Sequence, residues 1–255
     1  MWWKQLLLFA LALLPAIAPY RRTYAAPFRL LRVHASDKEY YNDHISENEM
    51  DRMASGLKQY REYAKSGLNK IVNDNNIEGA IEDFKMALSK NSSQPLQQLG
   101  ILYYCIGRYE EAEQQLLSDI TIMEQSKLFK ASDLRLWRSA ALNKLNKPRE
   151  AYLALDHTYL SGIPESRPIM NMTLNFYAQK LPLEYMMDIV NNMNVQDFSG
   201  VRFFTNFYIG LYYDSISNEE LATAFLSIIQ QSNKYPPKDM WYHVPRILYH
   251  HRGYK

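Results

Sequence analysis

The chain has one cysteine, Cys105, and only nine glycines among its 255 residues. A single cysteine excludes an intramolecular disulfide and says nothing of the redox compartment. The shortage of glycine, with little Val/Ile/Thr alternation anywhere, argues against a sheet-rich fold and for helices. Charge of one sign is also missing: 29 Lys and Arg face 27 Asp and Glu, for a formal net charge of +2. No basic stripe interleaved with aromatics is present, so nucleic acid is not an expected partner. There is no glycine-rich phosphate loop, no paired-cysteine metal site and no nucleophile elbow. The expected function is therefore non-catalytic, without cofactor or metal. His243, His250 and His251 cluster near the C-terminus, but adjacent histidines on a helix point about 100° apart and no carboxylate completes a site. A surface or helix-end role is expected for them, where a cation meets the helix dipole. Glu110, Glu111, Glu113, Glu219 and Glu220 read as solvated helix faces, and Cys105 as a small buried hydrophobe.

Long apolar runs are scarce as well. The one from Leu6 to Ala18 follows Lys4, is broken by Pro15 and falls short of the roughly 20 residues of a comfortable membrane span. It suits the core of a signal peptide, with cleavage after Ala18 or Ala25. Arg21, Arg22, Arg29 and Arg32 follow with no acidic residue before Asp37, which gives this stretch the look of a transit peptide. Together the two resemble the bipartite presequences of algae with complex plastids. The expected organisation is a targeting segment over 1–25, a basic then acidic linker over 26–52, and a helical domain over 53–255. The expected route is the secretory pathway or a plastid. The alternative is an uncleaved membrane anchor over residues 2–20, held by Trp2, Trp3 and Tyr20 at the interfaces and by Arg21 and Arg22. Two glycosylation sequons, at Asn91 and Asn171, fall in an expected loop and an expected helix.

A hydrophobic content of 47% supplies enough apolar surface for a continuous core, and its arrangement is repetitive. In Pro95 to Asp119, Leu96, Leu99, Gly100 and Tyr103 share one helix, Gly107 falls in a turn, and Tyr109, Ala112 and Leu116 belong to the next. Small residues there let two antiparallel helices touch while large ones plug the space beside them. A first unit runs from Met53 to Val72 and Ile77 to Ser89, with Ala80, Phe84 and Ala87 in place and Gly67 fitting after a one-residue insertion. A third uses Leu134, Ser139 and Leu142, the turn Asn146-Lys147-Pro148, then Ala151 and Leu155. Pro168 to Gln179 and Pro182 to Asn192 read as a degenerate pair. The pattern returns with Ile209, Gly210, Tyr213, Ala222 and Leu226, and Asn218 in the turn. Ala80, Ala112, Ala151 and Ala222 are about 32, 39 and 71 residues apart, the last close to two repeats. Five helix pairs are expected, followed by a terminal helix from Asp239 to His251 that covers the last apolar face.

These residues resemble the tetratricopeptide repeat family over roughly 53–234. The resemblance implies an all-α, right-handed solenoid of about five helix pairs with a C-terminal capping helix. The blocks Gln94-Pro95-Leu96, Arg167 to Met170, Phe207 to Tyr213 and His250 to Tyr254 are similar to uncharacterised single-domain repeat proteins of algae and related protists. Phe207 to Tyr213 also resembles the last repeat of a bacterial periplasmic adaptor lipoprotein, although no cysteine follows the apolar run to carry a lipid. The implied function is a protein-binding scaffold, adaptor or assembly factor, with self-association as the alternative. Co-chaperones of the family hold a chaperone's C-terminal carboxylate with Lys and Asn, but the matching positions here are Ala64 and Leu68, which excludes that use. Aligned on repeat geometry, the expected groove for a protein or peptide partner is lined by Gln97, Ile101, Tyr104, Leu136, Ala140, Asn143, Phe207, Leu211 and Asp214. Such a mixed apolar and aromatic surface suits an amphipathic helix or extended peptide.

Overall fold

The computed structural model describes residues 47–125, 131–155, 165, 167–192, 199–231 and 236–254. The targeting segment, the basic stretch and most of the linker lie outside the described residues, as do Ser161 to Pro164. Regular structure among the described residues is entirely helical. Five pairs are joined by short turns: α1 (Glu47–Asp74) with α2 (Ile77–Lys90), α3 (Gln97–Cys105) with α4 (Tyr109–Gln125), α5 (Ser132–Lys144) with α6 (Pro148–Ala154), α7 (Pro168–Tyr177) with α8 (Leu183–Asn192), and α9 (Ser199–Ser215) with α10 (Glu219–Gln230). A single helix, α11 (Met240–His251), follows. The first helix starts six residues before the expected Met53, because 47–52 contains neither proline nor glycine to stop it.

The turns explain the pairing. Each of the five first helices is followed by a residue with positive φ: Asn75 (49°), Gly107 (83°), Asn146 (56°), Gln179 (56°) and Ser217 (61°). The last four turns carry the same paired hydrogen bonds, as in Gly107 N to Tyr104 O and Arg108 N to Tyr103 O, which cap the outgoing carbonyls and reverse the chain. These left-handed residues are about 32, 39, 33 and 38 residues apart. The unit whose side-chain pattern is degenerate therefore keeps its turn at Gln179 and its place in the series. On the far side of the turns, Asn76 and Asn218 cap α2 and α10 by accepting hydrogen bonds from Gly79 N and Leu221 N. Pro148 opens α6, where its missing amide hydrogen has no acceptor to lose.

Within pairs, the small residue of the first helix meets the large residue of the second. A Cβ on Gly100 would lie 2.7 Å from Leu116 Cγ, one on Gly210 2.8 Å from Leu226 Cγ, and one on Gly67 2.6 Å from the Phe84 ring. Ala80, Ala112, Ala151 and Ala222 are all buried beside them. Between pairs, α4 packs on α5 and α2 on α3. The first helices α3, α5 and α9 also touch in sequence, α3 to α5 and α5 to α9.

α3 lacks a capping side chain of its own. Its first free amide, Leu96 N, donates to Asp119 Oδ1 at 2.8 Å, and Gln115 Nε2 donates to the same oxygen at 3.0 Å. Asp119 is fully buried, and burial pushes its carboxyl up to about 7 against those two hydrogen bonds.

Two measurements check these contacts. Gly210→Val is expected to lower stability by about 1–3 kcal/mol through overpacking against Leu226. A Gly210→Val/Leu226→Ala double variant should lose less than the two single losses added, because both act through one contact; urea denaturation decides it. For Asp119, the folded protein holds a proton that the unfolded chain releases at an ordinary carboxyl pKa near 4. Its contribution is therefore full below about pH 4 and is lost as pH rises to about 7. Relative to wild type, Asp119→Asn should gain stability by a few kcal/mol between pH 4 and pH 8; equal pH slopes in the two proteins would refute the buried proton.

Candidate functional site at the C-terminal ends of the inner helices

The expected groove residues come from α3, α5 and α9, and those three helices do come together. They are not open. Ile101, Tyr104, Leu136, Ala140, Phe207, Leu211 and Asp214 are buried, and Gln97 and Asn143 are half-buried. Over Tyr104, Phe207 and Asp214 the cover is the chain's own C-terminal segment. α11 was expected to seal only the last apolar face, yet besides α10 it packs on α1 and α3. It does so because its own apolar stripe needs burial: Trp241, Val244, Pro245 and Leu248 are all inside, at the i, i+3, i+4, i+7 positions of a helix laid into a groove.

An aromatic ladder crosses this interior. Tyr109 meets Tyr104 at 5.5 Å between ring centroids, Tyr104 meets Trp137 at 5.4 Å, Trp137 meets Phe207 at 5.6 Å, and Phe207 meets Trp241 at 5.8 Å. Mostly edge-on or tilted, these contacts each add about 0.5–1.5 kcal/mol beyond area burial. They tie α4, α3, α5, α9 and α11 into one core.

At one end of the ladder stands Asp214, a carboxylate with no solvent exposure. Four groups face it. Tyr104 Oη donates to Oδ2 at 2.5 Å, Tyr254 Oη to Oδ1 at 2.6 Å and Arg252 Nε to Oδ1 at 3.0 Å, while Lys144 Nζ lies at 3.7 Å. Burial and the Asp214 charge push the Tyr104 and Tyr254 hydroxyls above their ordinary range, so both remain donors. Burial lowers Lys144 despite its carboxylate neighbour.

Arg252 does more than pair with a carboxylate. Its Nη1 and Nη2 donate to Cys105 O and Tyr104 O, both at 3.1 Å, two carbonyls at the negative end of α3, of which Tyr104 O also accepts from Gly107 N. Its guanidinium carbon lies 5.5 Å from the ring centroids of both Tyr104 and Tyr109, within cation–π range. Its position is set by the end of α11. Gly253 takes φ of 68°, with Gly253 N bonded to His250 O and Tyr254 N to Tyr249 O. That cap turns the chain so that Arg252 and Tyr254 reach the same carboxylate.

No protein family, curated protein or solved structure matches the chain. The reading of the site rests on these residues alone. Asp214 and Tyr104 were expected to line the groove; Arg252, Tyr254, Lys144 and Tyr109 were not. For Arg252 and Tyr254 the sequence signal is Arg-Gly-Tyr at a helix end, which marks a glycine cap without naming a partner.

The other candidates fall elsewhere. Cys105 is buried with its thiol pushed up to about 12 by burial, and Sγ lies 4.0 Å from Val244 O. Such a thiol is packing material. His243 Nε2 is 2.6 Å from Pro237 O, and His250 and His251 are exposed at the end of α11. Among the described residues no group of three or more His, Cys, Asp or Glu is placed to hold a metal ion, and no helix is long and apolar enough to cross a membrane. Of the sequons, Asn91 is the half-buried cap residue ending α2. Asn171 is exposed on α7, but its Thr173 is buried and donates to Ile169 O.

At the opposite ends of α5 and α7, Arg167 bonds Asp133 at 3.1 Å and Glu165 at 2.9 Å, and Tyr208 Oη donates to Asp133. Burial would raise Glu165, but hydrogen bonds from Arg167 and Ser132 hold its carboxyl down at about 2. This cluster joins the starts of two helices to α9.

Arg252→Ala removes the main counter-charge of a fully buried carboxylate and is expected to cost about 3–5 kcal/mol. Tyr254→Phe should cost about 1–3 kcal/mol, the range for a hydrogen bond to a charged group. Urea denaturation measures both. A loss below about 1 kcal/mol for Arg252→Ala would mean that Asp214 is solvated and that the tail does not close this end of the core.

Proposed function

We propose that residues 47–254 form a right-handed tetratricopeptide-type solenoid of five helix pairs, and that the protein is a non-catalytic scaffold or adaptor that binds a helix or peptide on its inner helices. The observation that carries this reading is that α3 and α9 already hold a helix. α11 buries Trp241, Val244, Pro245 and Leu248 in the register by which amphipathic ligands enter grooves, with Trp241 against Phe207 and Val244 O beside Cys105 Sγ. The repeated turns at residues 75, 107, 146, 179 and 217 support the repeat assignment, because tetratricopeptide units recur at about 34 residues. Small-to-large contacts at Gly67, Gly100 and Gly210 support it independently.

Self-association is the second reading, and α11 is the observation that favours it. A segment that reaches from α10 back to α1 and α3 makes the same contacts when exchanged between two copies.

A photo-crosslinking residue at Gln97, on the inner helix α3, should give a partner adduct that the same residue at exposed Gln114, on α4, does not. Equal adducts from both positions would refute the groove. Light scattering over a range of concentrations separates the two readings: a strictly monomeric protein removes self-association, and a concentration-dependent dimer supports it.

A further inference from the structure

The surroundings of Arg252 are those of a binding site for a guanidinium group. A buried carboxylate, Asp214, takes one edge. Two carbonyls at the end of α3 take the other. The rings of Tyr104 and Tyr109 lie within reach of its π face. α5 ends at Lys144 and α9 at Ser215, one residue beyond Asp214. With α3, three helices end near the site, where Arg252 and Lys144 both meet the Asp214 carboxylate and the α3 carbonyls turn to Arg252. A guanidinium fits this set better than an ammonium, because its three nitrogens spread the donors in one plane, one to each of the three acceptors, and its flat face can lie against the two rings.

The occupant is held differently from the helix that carries it. α11 is seated by apolar burial of Trp241, Val244 and Leu248. Arg252 and Tyr254 are half-buried; they meet the site through hydrogen bonds, the Asp214 ion pair and cation–π contacts, and the Tyr254 ring also packs edge-on against Tyr249 of α11. Polar contacts of that kind can be replaced one for one by a competing arginine: Arg252, whose amide stays bonded to Leu248 O, leaves by rotation of its side chain, and the glycine at 253 lets Tyr254 turn away. Removing α11 itself would expose a large apolar face and has no such substitute. The replaceable part of the occupied groove is therefore residues 252–254.

We propose that the Asp214 site is an arginine receptor, resident with the chain's own Arg252 and Tyr254, and that it accepts in exchange a partner protein segment carrying an arginine with a tyrosine two residues on. The inference rests on the scaffold reading above. It adds the chemistry of the partner and places the point of exchange at the tail instead of along α11.

The site is tested first without any partner. Arg252→Ala vacates it, and ethylguanidinium at millimolar concentration, far below the denaturing range, should raise the Tm of that variant by about 2–4 °C. Ethylammonium at the same ionic strength should not, and neither should shift wild type. No shift in the variant, or equal shifts in variant and wild type, overturns the receptor whatever becomes of the scaffold reading. Exchange is tested with a labelled peptide of residues 246–255. It should bind Arg252→Ala at least about tenfold more tightly than wild type, where the resident tail competes. The peptide bearing Arg252→Ala should bind neither. Equal affinity for the two proteins overturns exchange. Should Arg252→Ala not fold, Arg252→Lys replaces it in both measurements, since it keeps the charge but lacks the fork.

Discussion

A charge without access to water must be paired, and in this chain that requirement falls on Asp214. Its carboxylate takes hydrogen bonds from Tyr104 on α3, and from Arg252 and Tyr254 beyond α11, with Lys144 of α5 alongside. Leaving it unpaired in the interior would cost several kcal/mol. The ends of α3, α5 and α9 and the tail converge on it. The same constraint separates α11 from an ordinary terminal cap, which would need only to cover α10.

Two kinds of energy hold this closure and they do different work. Apolar burial supplies the larger share: each of Trp241, Val244 and Leu248 is nearly or fully buried, worth about 1.5–3 kcal/mol apiece when removed from water. It is not directional and would tolerate sliding of α11 along the inner helices. The aromatic ladder and the Asp214 contacts are directional. They set the register of α11 and the position of its last turn.

Much of the fold was legible in the residues. Gly100 facing Leu116 and Gly210 facing Leu226 follow from small and large residues sixteen apart, a spacing set by two helices and a short turn. Gly67 against Phe84 is one residue longer, as the inserted residue of the first unit requires. The degenerate fourth pair was harder, because Gln179 does not look like a turn residue; its left-handed backbone is imposed by the helices on either side, not by its own preference. Asp119 stood at the end of the clearest repeat without any sign that it serves as the cap of α3, a role that needs the two helices already side by side. The candidate groove reads as open in the sequence, whereas most of its residues are buried, since nothing local in α11 says which surface its apolar stripe will cover.

The amino-acid sequence by itself determined that the chain is helical, where its helices break, and which faces of neighbouring helices meet, because propensity, caps and close small-to-large contacts act over one or two turns. Only the tertiary structure decided that the last helix returns to the first ones. The contacts responsible join residues 110 and 148 positions apart, Tyr104 to Asp214 and Tyr104 to Arg252. No periodicity reaches that far: a buried carboxylate shows its partners only once packing has excluded the water that would otherwise have paired with it.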